Sequence, residues 1–139
     1  MVDRVDGLTA DVGAGAGEAP TVLIIDDDPA MVDSLSMMLE DHGFRVLTAP
    51  NGIRGLRVFR EQRPAAVLTD ILMPEQDGIE TIVELRRSFP GTKIIAISGR
   101  FRSWNYLVLA KKLGADAAFE KGRDPALLIE TLNRLLAQP

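Results

Sequence analysis

Val22-Leu23-Ile24-Ile25-Asp26-Asp27-Asp28-Pro29 is the stretch that decides how this chain folds. Its apolar run does not alternate with polar residues, which suits a strand buried on both faces rather than one with a wet side. The run ends abruptly in carboxylates. Asp28 can cap a helix whose first residue is Pro29, where the missing N–H costs nothing. Met31, Leu35, Met38, Leu39 and His42 then follow helical spacing, and Gly43 can end that helix.

The same cycle repeats downstream. Phe44 to Ala49 reads as a second, weaker strand, and Asn51 to Arg63 as a helix stopped by Pro64. Ala65 to Leu68 reads as a strand ending near Asp70, and Asp77-Gly78 opens a helix carrying Ile79, Ile82, Val83 and Leu85. Ile94 to Ile97 is another buried strand, closing at Ser98-Gly99. Trp104 to Leu113 is helical and stops at Gly114. Ala117 to Glu120 is a short last strand before Lys121. Asp124-Pro125 repeats the cap-plus-proline start, and Leu128, Leu132, Leu135 and Leu136 line the final helix. Strands alternating with helices predict an α/β fold with a doubly wound parallel sheet, because each crossover is right-handed and lays its helix on a sheet face.

Residues 1–19 lack this pattern. They are rich in Gly and Ala, with no sustained apolar period, and are expected to form a disordered tail ahead of one domain at residues 20–139. Over the 139 residues, 46% hydrophobic and 26% charged residues suit a globular core. The absence of Cys excludes a disulfide scaffold, zinc fingers and a cysteine nucleophile. A single His, His42, leaves no multi-histidine metal site; it is read as a helix-terminal residue favoured by the dipole. The net charge of −4 argues against a basic nucleic-acid grip. No apolar run is long enough for a membrane span, and no signal peptide is recognisable, so a cytoplasmic location is expected. The tail holds four acids and one base, so most of the acidity belongs to it and not to the domain.

In such a sheet ligands bind at the carboxyl ends of the strands. Asp26, Asp27 and Asp28 follow the first strand, Asp70 the third, Ser98 the fourth and Lys121 the last. Carboxylates gathered at one edge repel and call for a cation. Oxygen ligands alone favour Mg²⁺. A hard cation beside a carboxylate, a hydroxyl and a lysine suits phosphoryl chemistry, with a carboxylate as nucleophile. Asp28 is read as a cap only, and the Arg54, Arg57, Arg60, Arg63 series as a solvated face.

With these residues in place, the chain resembles the receiver domain of two-component response regulators over about residues 21–137. The resemblance is carried by the opening stretch, by Asp70-Ile71-Leu72-Met73-Pro74 with Asp77-Gly78, by Ile97-Ser98-Gly99, and by Gly114-Ala115-Asp116 ahead of Lys121. It implies a flavodoxin-like five-stranded sheet in the order 2-1-3-4-5. It further implies Asp70 as phosphoacceptor, Asp27 as direct Mg²⁺ ligand, Asp26 acting through water, and Leu72 lending its backbone carbonyl. Ser98 and Lys121 would contact the phosphoryl group. The implied partners are a sensor histidine kinase or phosphotransfer protein and a downstream protein, with no nucleic acid and no membrane; a homodimer through the last two helices and strand stays open. No output domain follows the last helix, so a stand-alone phosphorelay module is expected, and not an enzyme with turnover on small molecules.

This sequence departs from the family pattern at two points. Gly122 replaces the proline usually found after the lysine. A cis bond without proline costs about 2.5–4 kcal/mol, so a trans peptide and a more mobile loop are expected. Ala118 replaces the switch aromatic, and Phe119 should point to the opposite face. The stretch Arg100, Phe101, Arg102, Trp104 and Tyr106 is unusually aromatic and basic, and reads as a partner surface. Two rival functions remain: a receiver that binds partners without phosphate, and a haloacid dehalogenase-type phosphatase using Asp26 and Asp28. The second lacks the expected Thr or Val at Ala30 and an acidic pair after Lys121.

Overall fold

Parallel strands and intervening helices alternate along the whole described chain of the computed structural model, which covers residues 19–138 apart from 72–77 and 100–103. The elements are β1 (Thr21–Ile25), α1 (Pro29–Asp41), β2 (Arg45–Ala49), α2 (Gly52–Gln62), β3 (Ala66–Asp70), α3 (Gly78–Ser88), β4 (Lys93–Ser98), α4 (Trp104–Leu113), β5 (Ala117–Glu120) and α5 (Pro125–Leu136). The sheet runs β2-β1-β3-β4-β5, all parallel, as the resemblance implies. From β1 the chain moves outward to β2, then crosses back to β3 on the other side. The carboxyl ends of β1 and β3 therefore meet where the winding reverses, and Ile25 pairs with Thr69 one step before Asp26 and Asp70.

The apolar runs are explained by burial on both faces. Leu23, Ile25, Val67, Ile94 and Ala96 pack with Leu56, Phe59, Ile82, Leu85 and Leu107 of α2, α3 and α4. Val22, Ile24, Leu68, Ile95 and Ile97 pack with Leu35, Leu39, Leu128 and Leu132 of α1 and α5. Each such side chain contributes about 1.5–3 kcal/mol of transfer free energy. Ala118 packs on the first cluster and Phe119 on the second, the opposed directions that strand alternation predicts.

The helix starts follow their caps. Asp28 accepts from the Ala30 N–H at 3.1 Å and Asp124 from the Ala126 N–H at 3.0 Å, each ahead of a proline. Asn51 caps α2 by accepting from the Arg54 N–H at 2.9 Å. His42 caps the C-terminus of α1, with Nδ1 2.9 Å from the Met38 carbonyl. Strand limits differ from the sequence reading by about a residue. Phe44 stays outside β2 because its N–H bonds the Leu39 carbonyl of α1 at 3.0 Å. β3 ends at Asp70, as read, with Thr69 and Asp70 paired to Ala96 and Ile97.

At the amino edge of the sheet, one side chain ties three segments together. Arg86, in the last turn of α3, donates to the Gly114 carbonyl from Nε (3.0 Å) and Nη2 (2.7 Å). Its Nη1 donates to the carbonyls of Pro90 (2.6 Å) and Thr92 (2.9 Å), and Nη2 to Asp116 Oδ2 at 2.8 Å. Asp116 Oδ2 also accepts from the Ile94 N–H at 2.8 Å. Beside it, Arg63 ends α2 in the left-handed region (φ 47°) before Pro64, with its guanidinium 4.5 Å over the Phe89 ring.

Candidate metal-binding acidic site

The carboxyl edge carries the polar residues. Asp26 follows β1 and is held by its own backbone, whose N–H donates to the Ala49 carbonyl at 3.1 Å. Its side chain is buried, and Oδ1 accepts from the Asp28 N–H at 3.0 Å. Oδ2 is ion-paired with the Lys121 Nζ at 2.7 Å. Asp70 ends β3, also buried, with Oδ2 3.5 Å from the same ammonium. Asp27 is exposed. One oxygen from each of Asp26, Asp27 and Asp70 lies within 4.8 Å of the others. Three carboxylates against one ammonium leave an excess of negative charge. An oxygen-only donor set of this kind fits a hard divalent cation.

Backbone approach shapes the site as much as side chains do. A Cβ on Gly78 would lie 2.1 Å from the Asp70 carbonyl oxygen, so only glycine lets α3 begin this close to the end of β3. The Gly78 N–H donates to the Ile71 carbonyl at 3.3 Å, and the Ile71 N–H to the Ile97 carbonyl at 3.2 Å. Ser98 ends β4 fully buried, and its carbonyl accepts from the Lys121 N–H at 2.9 Å.

Lys121 is anchored more firmly than the missing proline suggests. No cis peptide occurs among the described residues, as expected, and Gly122 adopts φ +90°. That left-handed conformation suits glycine and turns the chain away directly after the lysine. The lysine stem lies over Gly99, where a Cβ would sit 3.0 Å from the Lys121 Cδ. With two carboxylates at its tip, the side chain keeps only 13% exposure. A cavity of about 440 Å³ opens here, lined by Asp27, Asp28, Met31, Asp70, Gly99 and Lys121 among others.

The structure thus brings together Asp26, Asp27, Asp70 and Lys121, and places Ser98 at the next strand end. Leu72, Arg100, Phe101 and Arg102, and the side chain of Trp104, lie outside the described residues. Tyr106 is 46% exposed on α4 and does not line this cavity. The bed that Gly99 provides for the lysine stem is absent from the sequence reading; a glycine directly after the strand-end serine was the available signal.

Residues 22–133 match the family model of the response regulator receiver domain. PilH of Pseudomonas aeruginosa is 34% identical over 118 residues, 84% of this chain and 97% of that protein. The probable transcriptional regulatory protein TcrX of Mycobacterium tuberculosis is 31% identical over 84 residues, 60% of this chain but 36% of that protein. The chain therefore spans about a third of the length of one curated relative and nearly all of another. Among solved structures, a CheY-like receiver domain protein from Methanospirillum hungatei superposes with TM-score 0.78 at 31% identity, covering 85% of this chain and 94% of that one. The chain belongs to the receiver domain family of response regulators, the receiver modules of two-component systems.

Proposed function

We propose that residues 20–139 accept a phosphoryl group on Asp70 in a Mg²⁺-dependent reaction, with a sensor histidine kinase or phosphotransfer protein as donor. The observation that carries this reading is the Lys121 ammonium lying 2.7 Å from Asp26 and 3.5 Å from Asp70, inside a cluster of three carboxylates. An Asp70 carboxylate oxygen attacks phosphorus, the P–N bond to the donor imidazole breaks, and the imidazole nitrogen keeps the electron pair. An aspartyl phosphate forms. Lys121 offsets charge on the phosphoryl oxygens, and the Ser98 hydroxyl hydrogen-bonds one of them. Asp27 and Asp70, with the Leu72 carbonyl and with Asp26 through water, would hold Mg²⁺, which supplies further charge neutralisation when bound.

The module works in the cytoplasm and passes its state on by protein contact, through a surface that includes Arg100, Phe101, Arg102, Trp104 and Tyr106. The tail expected over residues 1–19 lies, up to residue 18, outside the described residues. The protein is a substrate that assists its own modification, without turnover on small molecules. Incubation with Mg²⁺ and acetyl phosphate, read by intact mass, tests the proposal. A single phosphoryl adduct that disappears in Asp70→Asn is expected. No adduct with any donor would leave only a phosphate-independent binding module.

A further inference from the structure

A second cavity, of about 390 Å³, lies behind the acidic site, between α1 and the β5–α5 connection. Its walls are Met31, Leu35, Met38, Ile97, Phe119 and Leu128. α1 closes one side, the ends of β4 and β5 form the floor, and Lys121, Gly122 and Arg123 close the other. Its volume falls in the range of small-molecule sites, which lies at about 300–1,000 Å³.

The lining also specifies what fits. Both cations on the rim are already matched: Lys121 by Asp26 and Asp70, and Arg123 by Glu120 at 3.0 Å. No carboxylate lines the cavity among the described residues. A charged guest would therefore lose hydration without gaining an unmatched partner. The walls are aliphatic and aromatic, and two are methionines, whose unbranched thioethers adapt to guests of different shape. Ser34 brings one hydroxyl to the mouth, enough for a single polar group.

We infer that the α1–α5 cavity is a binding site for a small, neutral, largely apolar molecule carrying at most one hydrogen-bonding group. Three residues, Met31, Lys121 and Gly122, line both this cavity and the acidic one. An occupant therefore presses on the segment that carries the Lys121 ammonium, and is felt at the acidic edge without entering it.

Indole is the probe, titrated into the full chain carrying ¹³C-methyl methionine and ¹⁵N-glycine. The Met31 and Met38 methyl resonances and the Gly122 amide should shift saturably on one binding curve. Met37, which is 61% exposed on the same helix, and Gly43, beyond the end of α1, should stay still. Ser34→Trp places an indole ring at the mouth from an exposed position; the Met31 and Met38 responses should then vanish while circular dichroism stays that of the parent. Shifts that grow linearly without saturation, equal shifts at Met37, or undiminished binding in Ser34→Trp would overturn the inference.

Discussion

Replacing Arg86 with Met tests how the amino edge of the sheet is held. Methionine keeps most of the apolar stem and removes every donor. The guanidinium makes five hydrogen bonds, to the carbonyls of Gly114 (twice), Pro90 and Thr92 and to Asp116. Bonds from a charged donor contribute about 1.5–3 kcal/mol each when isolated. Five of them on one rigid fork are far from additive, and with Arg86 27% exposed and Asp116 30% exposed, water takes over part of the lost bonding. The expected loss is therefore about 2–4 kcal/mol, a large share of the roughly 5–15 kcal/mol that a domain commands. At roughly 3–5 °C per kcal/mol for this size, the melting midpoint should fall by about 6–20 °C. Urea unfolding followed by circular dichroism measures the loss, with an unchanged denaturant slope showing that only the native state is affected. A double-mutant cycle with Asp116→Ala should show coupling of about 1 kcal/mol or more. A loss below about 1 kcal/mol, or no coupling, would refute the reasoning that this side chain ties the segments together.

Three further outcomes follow from other residues. Gly78→Ala should cost about 2 kcal/mol or more by driving a methyl into the Asp70 carbonyl, and should weaken Mg²⁺ binding measured by calorimetry; an unchanged affinity would separate the start of α3 from the acidic site. Ser36 is fully buried on α1 with no hydrogen-bond partner for its hydroxyl among the described residues, so Ser36→Ala should raise stability by about 1 kcal/mol in urea melts. On α3, the Glu84 carboxyl is held below the usual carboxylate range, first by its hydrogen bond from Arg87 and then by that from Ser88. Its contribution is thus complete above the unfolded carboxyl's pKa and fades as pH falls through the folded one. Glu84→Gln should flatten the acid limb of stability against pH while leaving the neutral limb parallel to the parent.

The alternation of strands and helices and the acidic edge were legible because the signals are local, while the strand order followed from the family resemblance. Unbroken apolar runs mark strands buried twice, Asp-Pro pairs mark two helix starts, and each run ends on the polar residue it delivers to the site. Lys121 was harder. The sequence lacks the proline expected to fix it, and the substitute hold comes from a positive-φ turn at Gly122 and from Gly99, one strand away. Arg86 could not be read at all. A basic residue in the last turn of a helix looks like an answer to the helix dipole, and its acceptors lie up to 30 residues away in two connections. Only the fold brings them within reach.

That clamp has a mechanical consequence for the opposite pole. The C-terminal ends of α3 and α4 are fastened to each other through Arg86 and the Gly114 carbonyl. Their N-terminal ends, at Gly78 and Trp104, flank the strand ends that carry Asp70 and Ser98. A rod pinned at one end moves only by swinging about the pin. α3 is also held at Gly78, against the end of β3, whereas α4 is a lever about 15 Å long, so a tilt of about 10° displaces its N-terminal end by roughly 2.6 Å while its pinned end stays in register. A tilt of α4 is thus felt beside Ser98 and not at the amino edge.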